Sequence, residues 1–343
     1  MMRLPSYRYR APRTISDAAA WLAESPADTM LLAGGTDLIP NMKRRQQVPA
    51  TVVGLRGVAE LSHVRDSEGI EIGAGTTLTA LTQDKRIHDR YPGLWQAVAQ
   101  IATPLLRNMG TIGGNLCLDT RCTYYDQSFE WRQSINFCMK KDGDICWVAT
   151  SSDHCLAVSS TDSAPALMAL GATVRLVSAS GSREIAAGDL FANDGMYYLT
   201  RKADEILTAV ILPKADGWRS TYWKLRRRGS FDFPVASVAA AARFDGDRII
   251  DARIVLGAVA SRPLAVPAAA TRMAGQTLTD ALIAAVADDA YALAKPMDNT
   301  DFELVWRKKA VRSLVTSALR ELRGDDMREA RTRLARHPLL VVS

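Results

Sequence analysis

All five cysteines of the chain fall within 39 consecutive positions, and this clustering limits what the middle of the sequence can fold into. Residues 120–155, which hold most of them, are rich in aromatic residues and turn formers and show little helical or strand periodicity. A loop of that length needs something to order it. Metal binding can supply the folding energy that such a segment lacks. The cysteines are Cys117, Cys122, Cys138, Cys146 and Cys155.

The spacing of the cysteines selects four of them as metal ligands. Four thiolates are what an iron–sulfur cluster or a structural zinc requires, whereas disulfides are disfavoured in a cytosolic chain. Cys117 lies only five positions before Cys122, and we expect it to be a small buried hydrophobe. Zinc sites usually include a close C-x₂-C pair, which this segment lacks, so zinc is the lesser alternative and chance clustering is the other.

Composition places the chain among ordinary folded proteins, with 48% apolar and 23% charged residues. Its 343 residues are more than one core usually fills, so we expect two or three domains. We expect no membrane span and no secretory signal, and hence a cytoplasmic protein. The net charge of +6 arises from 43 basic against 37 acidic residues, too mild an excess to indicate nucleic-acid binding. The basic run at 224–228 predicts a solvated face or a subunit contact, with an anionic cofactor as the alternative.

The hydrophobic pattern predicts helices and strands mixed along the chain. Ser16 or Asp17 is expected to cap a helix through Leu22, because a short oxygen-bearing side chain accepts from the free N–H groups. Residues 245–247 (Asp-Gly-Asp) predict a hairpin within an antiparallel sheet, since Asp-Gly tolerates positive φ. Further strands are predicted at 30–33, 51–55, 70–75, 173–179 and 205–213, and further helices at 78–87, 94–101, 163–172, 277–294 and 301–322.

Two glycine pairs, in segments 31–38 and 110–116, are candidates for holding a diphosphate. A diphosphate needs backbone N–H groups at close range, and glycine permits both the positive φ angles and the approach. Either pair alone is a weak signal, because a Gly-Gly pair after a strand is more often a plain turn. Neither pair is G-x-G-x-x-G or a P-loop, so a Rossmann fold is not supported.

Five segments, in order, resemble the FAD-binding subunits of the xanthine dehydrogenase family of molybdenum hydroxylases. They are LLAGGTDLIPNM, RNMGTIGGNL, TDSAPALMALGA, DEILTAVILP and YWKLRRRGSFDFPVASVAAAARF. The resemblance implies an α+β fold, with a PCMH-type (vanillyl-alcohol-oxidase-like) FAD-binding domain of two subdomains and a CO dehydrogenase flavoprotein-like C-terminal domain. The implied boundaries are 1–56 and 57–215 for the subdomains, 117–160 for an inserted iron–sulfur loop, 216–325 for the C-terminal domain and 326–343 for a tail.

The same resemblance assigns cofactor-binding roles to particular residues and implies no catalytic acid or base. Asp162 would accept hydrogen bonds from the ribityl or ribose region of FAD, Leu207 would pack on the isoalloxazine, and Lys224 would lie near its pyrimidine carbonyl. From the residues alone, Asp162 is a helix N-cap, Leu207 a strand core residue and Lys224 a solvent-facing strand lysine. Two loops would face the diphosphate, the first comprising Leu32, Ala33, Gly34, Gly35, Thr36, Asp37 and Leu38, and the second Thr111, Gly113, Gly114 and Asn115.

The inserted loop is similar to that of 4-hydroxybenzoyl-CoA reductase β subunits. This similarity implies a [4Fe–4S] cluster on Cys122, Cys138, Cys146 and Cys155. It implies partners with molybdopterin and two [2Fe–2S] clusters, in a dimer of heterotrimers, and electrons flowing from ferredoxin through cluster and FAD toward molybdenum to yield benzoyl-CoA. The alternatives are the FAD subunit of an oxidising molybdenum hydroxylase with another aromatic or heteroaromatic substrate, and a zinc-ordered binding module without enzymatic activity.

Overall fold

Three β-sheets organise the chain, in a computed structural model that describes residues 3–300 and 302–336. The first is a three-stranded sheet of order β1-β3-β2 with parallel strands. The helix after β1 is capped by Thr14 rather than by Ser16 or Asp17, the two predicted residues, because the Thr14 hydroxyl accepts the N–H of Asp17 at 3.0 Å. The elements are β1 (Arg8–Arg10), α1 (Ile15–Glu24), β2 (Thr29–Leu32), α2 (Leu38–Lys43) and β3 (Thr51–Gly54).

The second sheet has five strands in the order β4-β5-β8-β6-β7, and its paired strands are antiparallel. Its core holds Ile70, Val174 and Val210, against which the helices between β5 and β6 pack. The predicted insertion at residues 117–160, called the cysteine loop from here on, leaves this domain after the helix at Ile112–Leu116 and returns to it at the helix at Ser163–Leu170. The elements are β4 (Val64–Asp66), β5 (Ile70–Gly73), α3 (Leu78–Gln83), α4 (Lys85–Arg90), α5 (Pro92–Ala99), α6 (Pro104–Arg107), α7 (Ile112–Leu116), α8 (Phe129–Ser134), α9 (Ser163–Leu170), β6 (Thr173–Ser178), β7 (Gly181–Ala186) and β8 (Ile206–Leu212).

The third sheet is antiparallel, of order β12-β11-β10-β9, and helices cover it. The predicted hairpin is confirmed, because Asp245 pairs with Arg248 and Gly246 between them has a φ of +58°. The elements are β9 (Trp218–Leu225), β10 (Ala236–Asp245), β11 (Arg248–Gly257), β12 (Leu264–Ala265), α10 (Pro267–Met273), α11 (Asp280–Leu293), α12 (Leu304–Arg323) and α13 (Arg328–Arg336).

Strand β10 packs against both the five-stranded sheet domain and the helices of the C-terminal domain, because both of its faces are buried. Ala239 and Ala241 belong to the core of the five-stranded sheet, while Ala240 and Ala242 belong to the core under α11 and α12. The alternation follows from the two-residue period of a strand, and small side chains let both layers approach. The first residue of the predicted helix 301–322 and residues 337–343 of the predicted tail lie outside the described part. Within the described part, no helix combines the length and the apolar character that a membrane crossing needs.

Candidate functional site

The first glycine loop turns from β2 into α2 over a neighbouring stretch of backbone. Gly35 has a φ of +73°, which a residue with a side chain rarely adopts. A Cβ on Gly34 would lie only 2.0 Å from the carbonyl oxygen of Met109. The absence of a side chain at Gly34 therefore lets the two predicted loops touch each other.

The second glycine loop opens α7 and packs on the end of β5. The Thr111 hydroxyl accepts the N–H of Gly114 at 3.0 Å. The N–H of Gly113 donates to the carbonyl of Ala74 at 2.9 Å, and a Cβ on Gly113 would lie 2.7 Å from the Cβ of Ala74. The Asn115 side-chain oxygen faces inward and accepts from Thr161 and Ser163, at 2.9 Å and 2.6 Å between oxygens. The loop is thus fixed on one side to the sheet and on the other to the segment that carries Asp162.

Both loops line one cavity of about 1000 Å³. Pockets for drug-sized ligands have volumes of about 300–1000 Å³, so this cavity is large enough to hold a dinucleotide. The narrow clearance at Gly34 and Gly113 is toward neighbouring protein atoms, so these two glycines shape the cavity wall by letting its segments pack closely. Thirteen predicted cofactor residues line this cavity, namely Leu32, Ala33, Gly34, Gly35, Thr36, Asp37, Leu38, Thr111, Gly113, Gly114, Asn115, Asp162 and Leu207.

Asp162 is fixed in the cavity wall by two partners from β9. The Tyr222 hydroxyl donates to its Oδ1 at 2.7 Å, and the Lys224 ammonium donates to its Oδ2 at 3.0 Å. Asp162 occupies the N-cap position of α9, as the residues alone predicted, but its side chain makes no capping hydrogen bond and binds β9 instead. Burial raises the pKa of Asp162 and lowers that of Lys224, and the ion pair between them opposes both shifts.

Lys224 differs from both of its predictions. Its side chain does not line the cavity, and it is buried rather than facing solvent. Its ammonium group lies behind Asp162 and also donates to the carbonyl of Gln100 at 3.1 Å. Tyr222 and Lys224 share the face of β9 that points to Asp162, because side chains alternate along a strand. Lys224 therefore acts on the cavity through Asp162, not through its own contact.

A segment after β9, residues 226–233, contributes to the lining of the cavity and was not predicted to belong to the site. We call this segment the flap. Arg228 and Asp232 form an ion pair at 3.1 Å across it, and Arg121 of the cysteine loop lies 4.4 Å from the ring centroid of Phe233. The flap residues that line the cavity are Arg228, Phe231, Asp232 and Phe233. The basic run thus reaches the cavity at Arg228, which agrees with the alternative of an anionic cofactor.

Four of the five cysteines surround a second, small cavity. Cys122, Cys138, Cys146 and Cys155 line it, all four are buried with free thiols, and Cys117 lines the larger cavity instead. Burial raises the pKa of Cys122 to about 12 and that of Cys155 to about 11, with a further contribution from the neighbouring cysteines. Thiolates at these positions therefore need a cation to stabilise them.

Among the described residues, the four thiols do not form a ready-made site for a metal ion. Within residues 3–300 and 302–336, no three Cys, His, Asp or Glu side chains converge on a position for a single metal ion. Zinc requires such convergence, because each Zn–S bond is about 2.3 Å long. In a [4Fe–4S] cluster each thiolate binds a different iron, so the sulfurs lie farther apart. The cavity that the four cysteines help to line measures about 10 Å³, which is room for about one water molecule.

One buried ion pair separates the two cavities. Lys140 lines the cysteine cavity, Asp119 lines the larger one, and Lys140 Nζ lies 2.8 Å from Asp119 Oδ1. The Tyr125 hydroxyl also donates to Asp119, at 3.1 Å. Arg121, directly before Cys122, pairs with Asp37 of the first glycine loop. Sequence reasoning predicted Asp37 but missed the other four residues, for which the only signal is their closeness to Cys122 or Cys138 in the chain.

Comparison with known proteins agrees with this architecture. Residues 5–215 match the family model described as the FAD binding domain in molybdopterin dehydrogenase. Residues 220–322 match the CO dehydrogenase flavoprotein C-terminal domain. The predicted fold, a FAD-binding domain followed by this C-terminal domain, is therefore confirmed.

Relatives and solved structures extend the match over nearly the whole chain. The FAD-binding subunit of an aldehyde oxidoreductase of Escherichia coli (strain K12) is 29% identical over 328 residues, covering 92% of this chain and 99% of that protein. The carbon monoxide dehydrogenase medium chain of Afipia carboxidovorans is 32% identical over 263 residues, covering 76% of each chain. Reconstituted CO dehydrogenase from Oligotropha carboxidovorans matches with a TM-score of 0.78 at 27% identity, covering 94% of this chain and 99% of that chain. The chain therefore belongs to the FAD-binding subunits of the xanthine dehydrogenase and CO dehydrogenase family of molybdenum hydroxylases.

Proposed function

We propose that this chain is the flavin and [4Fe–4S] electron-transfer subunit of a molybdenum enzyme of the 4-hydroxybenzoyl-CoA reductase type. Such an enzyme converts 4-hydroxybenzoyl-CoA to benzoyl-CoA with ferredoxin as electron donor. The observation that carries the proposal is that four buried cysteines meet around one cavity, one ion pair away from the flavin cavity. The similarity of the inserted loop supports the choice of substrate.

In this proposal both glycine loops face the FAD diphosphate, and the first loop offers its backbone N–H groups, since those of Gly113 and Gly114 already donate within the protein. When bound, FAD supplies electron-transfer chemistry that the side chains of a protein lack. Each oxygen of the Asp162 carboxylate already accepts one hydrogen bond from β9 and retains a lone pair for a hydroxyl of the ligand. Leu207, in β8, provides an apolar surface on the cavity wall for the isoalloxazine. The chain positions the flavin and contributes no catalytic acid or base.

The cysteine loop would hold the cluster on Cys122, Cys138, Cys146 and Cys155. A [4Fe–4S] cluster supplies one-electron transfer, with a potential set by its charge, its hydrogen bonds and its exposure. Burial of the four thiols and the nearby Lys140 ammonium are the features of this chain that would act on that potential. Asp119 holds Lys140 in place from the flavin side of the wall.

The chain would work within a larger assembly in the cytoplasm. We propose a large molybdopterin-binding subunit and a small subunit with two [2Fe–2S] clusters as partners, in a dimer of heterotrimers. The carbon monoxide dehydrogenase relative is described as a medium chain, which supports a place between a larger and a smaller subunit. Substrate chemistry would then occur on the molybdenum subunit.

Replacing Cys138 by serine tests the cluster assignment. We expect the purified complex to lose the iron and acid-labile sulfide of one [4Fe–4S] cluster while it retains FAD, because a serine hydroxyl is a poor ligand for iron. The matched control is Cys117→Ser, since Cys117 lines only the flavin cavity. Iron, sulfide and flavin are measured per chain. Equal iron and sulfide contents in the two variants would refute the assignment.

An assay of the complex with 4-hydroxybenzoyl-CoA and reduced ferredoxin tests the substrate. Formation of benzoyl-CoA supports the proposal, and inactivity on all benzoyl-CoA derivatives rejects it. The second candidate is the FAD subunit of an oxidising molybdenum hydroxylase with another aromatic or heteroaromatic substrate. Relatives described as an aldehyde oxidoreductase and a carbon monoxide dehydrogenase favour the oxidising direction of this candidate. Substrate-dependent reduction of an electron acceptor would support it.

A further inference from the structure

Helix α13 lies beyond the residues that match the two family domains, which end at residue 322. It is nevertheless packed against the body of the protein. Met327, Ala330 and Leu334 contact the core of the C-terminal domain from one side of the helix. The predicted tail is therefore an ordered element over its described residues, and its contacts indicate what it does.

Arg331 is the polar anchor of α13. Its guanidinium binds Glu321 of α12 in a two-pronged ion pair, with N–O distances of 2.6 Å and 3.1 Å. The Nη2 atom of Arg331 also donates to the side-chain oxygen of Gln96 in α5, at 3.1 Å. The guanidinium lies over the ring of Trp223 in β9, 4.3 Å from its centroid. One side chain thus ties α13 to the C-terminal domain and to the FAD-binding domain together.

The last turn of α13 touches the flap that lines the flavin cavity. A Cβ on Gly229 would lie 2.5 Å from the carbonyl oxygen of Ala335. Backbone therefore meets backbone at this point, and only glycine fits. Arg228, beside Gly229, lines the cavity, as do Phe231 and Phe233 farther along the flap.

We propose that α13 is a latch, anchored by Arg331, that holds the flap closed over the flavin cavity through the contact between Ala335 and Gly229. Arg331 is then a positioning residue for flavin retention. A flap with few buried contacts of its own opens readily unless another element holds it. The inference rests on the flavin-binding function of the family and is independent of the cysteine loop.

Arg331→Ala in the purified complex tests the latch. We expect FAD to dissociate roughly tenfold faster, a change equivalent to 1.4 kcal/mol. Trypsin should also cleave the flap faster, after its arginines at 226–228. The matched control is Arg333→Ala, because Arg333 is on the same helix, 61% exposed, and pairs with Glu329 of that helix. The control should release FAD and be cleaved at wild-type rates.

Gly229→Ala provides a second test that leaves the Arg331 anchor intact. The added methyl group should push the flap from α13 and speed both flavin release and flap cleavage, whereas Ser230→Ala, an exposed neighbour, should change neither. Combining Gly229→Ala with Arg331→Ala should add little, since both act on one contact. Wild-type flap cleavage in both single variants would overturn the latch. Because cleavage is measured without reference to flavin, failure of the latch is distinguishable from failure of the flavin site.

Discussion

Replacing Gly34 by alanine is expected to strip the protein of its FAD. The new Cβ would lie 2.0 Å from the carbonyl oxygen of Met109 and 2.9 Å from the Cα of Gly110, which are backbone atoms of the second glycine loop. No side chain can rotate away to relieve this overlap, so the two loops must separate. Overpacking of this kind costs about 3 kcal/mol, and because FAD binding requires the separated loops to come together again, this strain weakens flavin binding by up to about a hundredfold. The flavin content of the purified complex, measured by visible absorbance, checks the expectation.

The control for this prediction is Gly188→Ala, which lies outside the lining of the cavity. A Cβ on Gly188 would lie 3.2 Å from the terminal methyl carbon of the flexible Met168 side chain, so a small adjustment of that side chain relieves it. This variant should retain most of its flavin. Full flavin occupancy in Gly34→Ala would show that the two loops need not touch for FAD to bind.

Glycine loops are predictable from sequence because the absence of a side chain is a local signal. The pair at Gly34 and Gly35 follows an apolar strand and lies where the chain must turn, and the structure shows one tight approach and one positive φ there. The hairpin around Gly246 is predictable for the same reason. The cysteine cluster is a pattern of composition, and Cys117 is set apart from the others by spacing alone.

The parts that sequence reasoning missed depend on contacts between distant residues. Periodicity places Lys224 on one face of a strand, but it cannot show that Asp162, 62 positions away, covers that face. Arg121 reaches Asp37 across 84 positions, and no local pattern predicts that pairing. Arg331 binds Gln96, which lies 235 positions away, so the sequence of the charged tail could not predict this contact. Burial of a charge is decided by the partner that tertiary structure brings to it.

The buried ion pair that separates the two cavities is another contact that only tertiary structure reveals. This pair, Lys140 with Asp119, is almost fully buried, with side-chain exposures of 6% and 5%. Such a pair contributes little net stability, because desolvation offsets the attraction, but it fixes the geometry of the groups around it. Two cofactors that exchange electrons need this kind of fixed separation. This ion pair therefore connects the cysteine loop to the flavin site by a direct contact, which neither the cysteine spacing nor the glycine pairs could predict.

Replacing Lys224 by methionine is expected to destabilise the protein by about 3–5 kcal/mol, because it leaves the buried Asp162 carboxylate without its cation. Lys224 is among the groups that lower the pKa of Asp162, so its loss raises that pKa further above the unfolded value. A group with a raised folded pKa contributes stability that is present at low pH and lost as pH rises. The deficit relative to wild type should therefore grow as pH rises above the usual titration range of an aspartate, as measured by thermal unfolding.

Two controls separate the charge from the packing in this prediction. Lys214→Met removes an exposed lysine and should leave stability unchanged at all pH values. The double variant Asp162→Asn with Lys224→Met removes both charges, so its stability should recover in part and lose the added pH dependence, because a neutral amide has no proton to exchange. A deficit in Lys224→Met that stays constant with pH would assign the effect to lost packing. In that case Lys224 would not be what stabilises the ionised form of Asp162, and the hydrogen bond from the Tyr222 hydroxyl would be the main interaction that does.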